Sequence, residues 1–397
     1  MQIPKQQGDA GPVKIDSGCG SSHYPPPGAV NYTSVAMFYA SLRFFQKTLR
    51  SVCIRVLTAA FVFTSALCFA GSLAAAQAQA AGNHLLIYSI DVEGGQATLL
   101  VAPTGASLLV DTGWPDNDGR DAMRIQTAMH DAGIKRIDHV LLTHYHVDHA
   151  GGVPELVKRV DVGEFLDHGP NREPGATQHV YDAYLAAIAG HPHRVEHPGD
   201  TISIAGLSVI VLTADGEHIS SVPGITPTAN PYCATESAWP ADPSENARSA
   251  GILVTFGKFK FLDLGDLTGQ KEVALVCPKN PIGTVDLYLV THHGMDLSNS
   301  RAIVDAIHPR VAIMNNGAHK AGMPRAWQTV HDSPGLIDLW QLHTAEGSDA
   351  AHNSPEWLIA NPKGDGDGAY LKVVASRDGD FSVTNTRTGR TKDYPAK

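Results

Sequence analysis

One short segment limits what this chain can fold into more than any other part of it. The segment HYHVDHAGG begins at His144 and follows an apolar run, residues 137–143, whose composition is typical of a buried β-strand. Side chains two residues apart at a strand end point the same way, so we expect His144 and His146 to face one side. Asp148 and His149 follow in the turn. Four side chains that can bind a metal within six residues predict a metal site at the end of this strand.

Strand and helix patterns alternate along the chain from residue 83 onward. A helix is predicted over residues 120–132, because Gly133 is a natural helix C-cap. Two strands over residues 251–264, followed by a helix over 270–277, repeat this order in the second half. We therefore predict an α/β (α+β) fold of the αββα sandwich type, with two sheets packed together and helices outside. Residues 214–245 form a long Pro/Ser/Gly-rich loop, and such loops are often functional.

The N-terminal region is predicted to be an export signal. Four bases precede the apolar, uncharged run of residues 57–73, and a small-x-small pattern predicts cleavage near Ala80. The alternative is an uncleaved membrane anchor, since the run is about as long as a bilayer span. We expect a disordered or mis-assigned extension at 1–36, a secretory signal peptide at 37–80 and a hydrolase domain at 81–397. The protein is then periplasmic or secreted, with no stable membrane span after cleavage.

Charge and cysteine content narrow the choice of partners. Beyond residue 80 the chain has 24 basic and 38 acidic residues, and this balance repels nucleic acid at long range. We therefore expect a small-molecule or ester substrate and no nucleic acid, while the sequence does not indicate an oligomeric state. Of the five cysteines, Cys233 and Cys277 lie outside the leader. They could pair in an oxidising compartment, although the sequence does not show that they are within reach.

The segment at 144–149 resembles the H-x-H-x-D-H motif of the metallo-β-lactamase superfamily. Two further aspartates stand where that family places functional residues. Asp111, in LLVDTG, matches a buried aspartate that orients the ligand loop, with a plain turn residue as the alternative. Asp266, in the Gly-Asp pair after an apolar strand, matches the carboxylate that bridges two metals, with a helix N-cap as the alternative. The resemblance thus implies a two-metal site built from His144, His146, Asp148, His149 and Asp266.

The same resemblance places the last metal histidine in Thr291-His292-His293-Gly294. Either His292 or His293 fits, and the other is expected to line the pocket and donate a proton to the leaving group. The third histidine of the first metal is not obvious. His168 ends a strand and is our candidate; the alternatives are His191, His193, His197 and His218.

Within the superfamily, the pattern resembles the metallo-β-lactamase domain of DNA-uptake (competence) channel proteins more than the lactamases themselves. The similarity covers roughly residues 84–345 and includes Asn246 and Ser249 before the Gly-Asp strand. The multi-span channel of those proteins is absent from this sequence, so their transport role does not carry over. Asn316 follows a later strand on the expected site face and is a candidate substrate-binding residue, with an ordinary loop residue as the alternative.

The resemblance implies a metal-dependent hydrolase in which a metal-activated water attacks the substrate. Zinc is the expected metal, most simply as two ions, with manganese or iron as alternatives. Asp148 and the pair His292–His293 are the expected catalytic residues. A phosphoester substrate is slightly favoured, because a two-metal clamp suits in-line displacement. The alternatives are a lactone or thioester (acyl) hydrolase of the same fold and a non-catalytic metal-containing binding protein.

Overall fold

The computed structural model describes residues 83–115, 117–364 and 367–397. Its strands are short, and in the interior strands the side chains alternate between two buried environments. In β1, Leu85–Ser89, the side chains of Leu85 and Ile87 enter one apolar cluster and those of Leu86 and Tyr88 enter another. A strand that is apolar on both faces must lie in the interior of a layered structure, because each face needs a covering layer.

The elements, numbered in chain order, have the following bounds. The strands are β1 Leu85–Ser89, β2 Thr98–Val101, β3 Ser107–Val110, β4 Arg136–Leu141, β5 Asp161–Asp167, β6 His193–Val195, β7 Thr201–Ile202, β8 Ser208–Ala214, β9 Glu217–His218, β10 Thr228–Ala229, β11 Gly251–Phe256, β12 Phe259–Asp263, β13 Lys279–Asn280, β14 Leu287–Leu289, β15 Val311–Met314, β16 Asp338–His343, β17 Ile359–Asn361, β18 Leu371–Ala375, β19 Phe381–Asn385 and β20 Arg390–Tyr394. The α-helices are α1 Arg120–Ala132, α2 Val147–Ala150, α3 Val153–Leu156, α4 Gln178–Ala187, α5 Gly269–Val276, α6 Arg301–Ile307 and α7 Pro324–His331.

Two nine-stranded sheets contain most of these strands. The first sheet has the order β20-β19-β18-β1-β2-β3-β4-β5-β6, and the strands from β3 to β6 are parallel. The second has the order β17-β16-β15-β14-β12-β11-β8-β7, with β9 beside β8, and the strands from β12 to β17 are parallel. Strands β10 and β13 form a separate pair. Each sheet thus has a parallel half, whose carboxyl ends share one edge.

Three apolar clusters fill the spaces between the layers. The central cluster joins the facing sides of the two sheets, as where Ile87 of the first and Val211 of the second are both buried in it. A second cluster packs the outer face of the first sheet against α1, α3 and α4. A third packs the outer face of the second sheet against α5, α6 and α7. The order helix, sheet, sheet, helix confirms the predicted αββα sandwich, and helix α1 spans 120–132 with Gly133 as its C-cap, as predicted.

The C-terminal strands complete the first sheet. Strand β18 pairs with β1 in the interior of the first sheet, and β19 and β20 form the edge beyond it. Sequence patterns give strand positions but not pairing partners, and this pairing joins residues almost 290 positions apart along the chain. The predicted signal peptide at 37–80 lies outside the described residues. No helix of the described part of the chain is long and apolar enough to cross a membrane.

The loop over residues 214–245 has little regular structure but is fixed at defined points. Cys233 forms a disulfide with Cys277, which follows α5, and their Cα atoms are 5.9 Å apart. Asn230 adds hydrogen bonds from its side-chain amide to the carbonyl oxygens of Val276 and Ala302, at 3.2 and 2.8 Å. The loop is therefore attached to the helices of the second sheet.

The buried carboxyl group of Glu272 in α5 predicts a specific pH dependence of stability. Burial raises its pKa to about 7, although the backbone N–H groups of Ser300 and Asn299 donate to it. A raised pKa means that the folded state holds the proton more tightly, so stability is full below the ordinary pKa and falls as pH rises towards 7. In the native protein this decline in stability amounts to roughly 2–3 kcal/mol. We expect Glu272→Gln to lose a hydrogen bond at pH 5 and to show no such decline as pH rises.

The measurement is the free energy of unfolding of both proteins by urea denaturation between pH 5 and 8. The difference between native protein and variant should shrink or change sign as pH rises. A difference independent of pH would show that Glu272 titrates normally in the folded protein.

Candidate metal centre

The candidate site lies where the parallel halves of both sheets end. Asp111 follows β3, and the segment 144–149 follows β4, in the first sheet. Asp266 follows β12, and the pair His292–His293 follows β14, in the second. Because the carboxyl ends of parallel strands share an edge, the sandwich brings these four segments together. The positive φ angles of Asp111 (60°), His292 (57°) and His293 (54°) show that the chain turns sharply as it leaves these strands.

Asp111 organises the first-sheet side of the site. Its buried carboxylate accepts hydrogen bonds from the backbone N–H and hydroxyl of Thr143, at 2.8 and 2.7 Å. It also lies 2.7 Å from Nδ1 of His149. An ionised carboxylate can only accept, so Nδ1 of His149 carries a hydrogen, and Nε2 points away from Asp111 towards His293. The structure thus places Asp111 where the sequence predicted it, beneath a candidate ligand.

Four candidate ligand atoms converge at the centre of the site. One atom each from Asp148, His149, Asp266 and His293 lies within 4.8 Å of all the others, and all four residues are buried. Nε2 of His149 is 3.1 Å from Nε2 of His293 and 3.2 Å from Oδ2 of Asp266. Ligands at ordinary zinc distances in a tetrahedron lie about 3.3 Å apart. The spacing and the chemistry of this donor set therefore fit one metal ion.

The buried atom Oδ1 of Asp266 supports this fit. It has no hydrogen-bond donor in the described part of the chain, although Nε2 of His293 is 3.2 Å away. A buried carboxylate oxygen without a donor is costly unless a cation meets it. Oδ1 of Asp266 and Nε2 of His293 thus face each other without a hydrogen bond, and this leaves a place for such a cation.

His144 and His146 form a second pair beside this cluster. Nε2 of His144 is 3.1 Å from Nδ1 of His146 and 3.9 Å from Oδ2 of Asp266. Outward-facing contacts orient both rings, since Nδ1 of His144 is 3.0 Å from the Thr143 hydroxyl and Nε2 of His146 is 3.2 Å from Glu173. Nε2 of His144 and Nδ1 of His146 are thus left to bind a metal ion. Asp266 lies between this pair and the rest of the four-residue cluster.

The electrostatics of the cluster are those of a cation site. Burial alone would raise the pKa of the Asp148 carboxyl, but His149 and Lys320 outweigh it and hold that pKa well below its ordinary value. The same balance, with His149 and His293 as the positive partners, keeps the pKa of Asp266 low. Burial would lower the pKa of His149, yet the surrounding carboxylates raise it well above normal. Positive charge is therefore favoured at this point, and a metal ion would take the place of the His149 proton.

His292 and His293 occupy different positions. Nδ1 of His292 is 3.1 Å from the hydroxyl oxygen of Ser298, whose own hydrogen is donated to the carbonyl of Leu267. Nδ1 must then carry the hydrogen, and Nε2 of His292 is a bare acceptor that lies 3.4 Å from Oδ2 of Asp266. His293 lies within the four-residue cluster and His292 lies beside it, so of the two histidines that the sequence left open His293 is the one placed as a candidate ligand.

The structure does not bring His168 to the metal cluster. Its Nε2 is 2.9 Å from Glu245, and both side chains are buried. Strand β5 carries His168 to this edge of the sheet, but its Nε2 contacts Glu245. His193, one of the alternatives, is paired with Asp167 at 2.7 Å. Among the described residues, no group of three or more converging ligand atoms includes His168 or the pair His144–His146.

Asn316 is fully buried in the loop after β15. Its amide donates to the carbonyl oxygens of Gly317 and His343, at 3.0 and 2.9 Å. These contacts hold the side chain within the loop, and the expectation that Asn316 binds substrate stays a prediction.

Lys320 is a site residue that sequence reasoning missed. Its ammonium group contacts the carboxylate of Asp148 and lies 4.9 Å from the centre of the Trp114 ring. The loop that carries it is pressed against the β1–β2 turn, where a Cβ on Gly94 would lie 2.8 Å from the backbone of Gly317. A lysine after a strand end has no motif of its own. The only available signal was that β15 ends at the same edge as the other site strands.

Comparisons with known proteins agree with this geometry. Residues 91–225 match the model of the metallo-beta-lactamase superfamily. An atrochrysone carboxyl ACP thioesterase of Pseudocercospora fijiensis is 36% identical over 107 residues, 26% of this chain and 31% of that protein. A ribonuclease Z of Methanopyrus kandleri is 36% identical over 123 residues, 30% of this chain and 39% of that protein. A hydroxyacylglutathione hydrolase of Xylella fastidiosa is 34% identical over 117 residues, 30% and 36% respectively.

The chain spans about a third of the length of each of these curated relatives. Among solved structures, a metallo-beta-lactamase fold protein of Bacillus subtilis aligns with 65% of this chain and 96% of its own, at a TM-score of 0.39 and 11% identity.

The contacts of Asp111 generate a prediction about metal affinity. In Asp111→Asn the amide can accept at one atom only, and its NH₂ group faces a donor, so the ring of His149 loses its fixed orientation. We expect the affinity for zinc to fall about 10- to 100-fold, measured by competition with a chromophoric chelator. Asp332→Asn, at an exposed position, is the matched control. Equal affinity in both variants would show that Asp111 does not orient a metal ligand.

The two neighbouring histidines generate a second prediction. His293→Ala should lose most of the bound metal, because His293 supplies one of four converging atoms. His292→Ala should keep it. Metal content per protein, determined by inductively coupled plasma mass spectrometry after gel filtration, distinguishes the two. Loss of metal in His292→Ala with retention in His293→Ala would reverse the assignment.

Proposed function

We propose that this chain, whose residues 91–225 match the model of the metallo-beta-lactamase superfamily, is an exported metal-dependent hydrolase of thioesters. The observation that carries the proposal is the convergence of Asp148, His149, Asp266 and His293 within 4.8 Å. A bound metal ion at this cluster would supply a water of lowered pKa and polarise the acyl carbonyl.

The number of preformed donor sets favours acyl transfer over phosphoryl transfer. One cluster in the described residues has four converging ligands, whereas the neighbouring pair His144–His146 belongs to no such group. Hydrolysis of an acyl bond needs one activated water and one polarised carbonyl, for which one firmly held ion suffices. In-line displacement at phosphorus is typically supported by two ions. Zinc fits the mixed His and Asp donors, as do manganese and iron.

The state of His292 favours a leaving group that needs no proton. Its Nδ1 hydrogen is directed to Ser298, so Nε2 accepts and does not donate. The side-chain amide of Asn246, 3.5 Å from that Nε2, is consistent with a bare lone pair. A thiol has a pKa of about 8.5 and leaves as a thiolate, whereas an alcohol or amine needs a donor. The expectation that the second histidine of the pair protonates the leaving group is therefore replaced by unassisted departure of a thiolate.

Lys320 completes the proposed site. Its ammonium lies at the edge of the cluster against Asp148 and is about one third exposed. A cation in this position would stabilise negative charge that develops on the acyl group and in the carboxylate product. The overall reaction breaks the acyl C–S bond, adds water oxygen to the acyl carbon, and releases a carboxylate and a thiol.

Two of the similar proteins support an acyl substrate by their names, an ACP thioesterase and a hydroxyacylglutathione hydrolase. The similarity to a ribonuclease Z supports a phosphodiesterase as the second candidate. The acidic balance beyond residue 80 disfavours a nucleic-acid substrate. Export is supported by the leader pattern at 37–80 and by the Cys233–Cys277 disulfide, which suits an oxidising compartment.

The test is hydrolysis by purified protein loaded with zinc, manganese or iron. The substrates are an aryl thioester, an aryl lactone and bis(4-nitrophenyl) phosphate. We expect turnover of the thioester, reduced at least about 100-fold in Asp148→Asn and unchanged in Asp332→Asn, because only the first variant removes a cluster carboxylate. Turnover of the phosphodiester with none of the thioester would establish the second candidate instead. Bound metal with no turnover of any of the three would favour the non-catalytic binding protein.

A further inference from the structure

A cavity of about 540 Å³ lies on the side of the second sheet. It is bounded by the end of the 214–245 loop, by the start of α7 and by the segment Met295–Asn299. That segment connects the cavity to the surroundings of the metal centre, because its Ser298 contacts His292 at 3.1 Å while its Asp296 and Leu297 line the cavity.

The cavity has a flat apolar wall. The indole of Trp239 packs directly on the backbone of Gly269, where any Cβ would collide with the ring. Gly269 lies three residues after Asp266, so the wall is fixed to the same chain segment that supplies a metal ligand. Leu297, half exposed, forms the opposite apolar surface. Aromatic and aliphatic surfaces that face an open space favour a flat apolar ligand group.

The cavity also presents a cation that has no carboxylate partner. The guanidinium of Arg325 lies 4.6 Å from the centre of the Trp239 ring. Among the residues that the structure describes, no carboxylate oxygen lies within 4 Å of it, since Arg325 takes part in none of the ion pairs. Stacking on the indole leaves the N–H edge of the guanidinium free for an anion. Arg301 adds a second guanidinium, which is shared with Asp305.

The two carboxylates that line the cavity already accept hydrogen bonds from the protein. Glu236 accepts from the indole N–H of Trp239, at 3.0 Å, and from the backbone N–H of Ala302, at 2.7 Å. Asp296 accepts from the backbone N–H of Ala326, at 3.1 Å. Both are therefore tied to helix N-termini, where negative charge is partly compensated. The group that remains free to bind a ligand is the guanidinium of Arg325, beside the indole of Trp239.

From these features we propose that the cavity is a substrate subsite for a flat apolar group that carries a carboxylate. This inference rests on the proposed acyl hydrolase function and narrows its substrate class to thioesters with such an anionic part remote from the scissile bond. The Cys233–Cys277 disulfide holds the loop that carries Trp239, so the wall is preformed.

The test measures binding separately from turnover. The probes are 4-(methylthio)benzoate and 4-(methylthio)benzamide, which differ in charge and cannot be hydrolysed, and the signal is quenching of tryptophan fluorescence. We expect the carboxylate to bind at least about ten-fold more tightly than the amide, the size of one charge-assisted hydrogen bond. Arg325→Gln should abolish that preference, and Trp239→Phe should remove the fluorescence signal. Arg390→Gln is the matched control, because Arg390 stacks on the indole of Trp357 away from the cavity.

Asp148→Asn separates this inference from the proposed function, since it removes a candidate metal ligand but leaves the cavity intact. Binding of the benzoate by that variant, with no hydrolysis of any thioester by the native protein, would retain the subsite and reject the thioesterase. Turnover of a thioester with equal binding of both probes would reject the subsite and keep the function. A preference for the benzoate that survives Arg325→Gln would also overturn the proposal.

Discussion

The hydrogen bonds to the carboxylate of Asp111 are the constraint on which the site depends. One fully buried side chain meets three donors, two from Thr143 and one from His149. A buried carboxylate is tolerated only when its oxygens accept hydrogen bonds, and Asp111 therefore fixes the turn after β4. The orientation of His149 follows from it, and the direction of the HYHVDH segment follows from His149.

The rest of the architecture brings the second sheet to this fixed point. Parallel strands β12 and β14 deliver Asp266 and His293 to the edge where β4 delivers His149, and the central apolar cluster holds the sheets face to face. Close approach of backbones needs residues without a side chain. A Cβ on Gly95 would collide with the carbonyl oxygen of Asp148, and one on Gly265 would lie 2.8 Å from Thr143. The converging donors are therefore a product of strand order, apolar packing and glycine together.

The sequence predicted those parts of the site that depend on local order. The candidate ligands from His144 to His149 lie in one turn and need only the end of a strand. Asp111 and Asp266 stand in short patterns that include a glycine, LLVDTG and Gly-Asp. Contacts across the fold were beyond such reasoning. Lys320 and Glu173 approach the site from loops with no pattern of their own, and Glu245 removes His168 from it through a contact 77 positions away in sequence. The same limit applies to the pairing of β18 with β1, since strand pairing depends on the whole sheet.

The most direct test of this account is anomalous diffraction from crystals of the protein grown with zinc and measured on both sides of the zinc absorption edge. The account predicts a strong peak within bonding distance of His149 Nε2, His293 Nε2 and the carboxylates of Asp148 and Asp266. A weaker peak or none is expected between His144 and His146. Zinc at His144 and His146 with no peak at the four-residue cluster would contradict the central claim that this cluster is the metal centre.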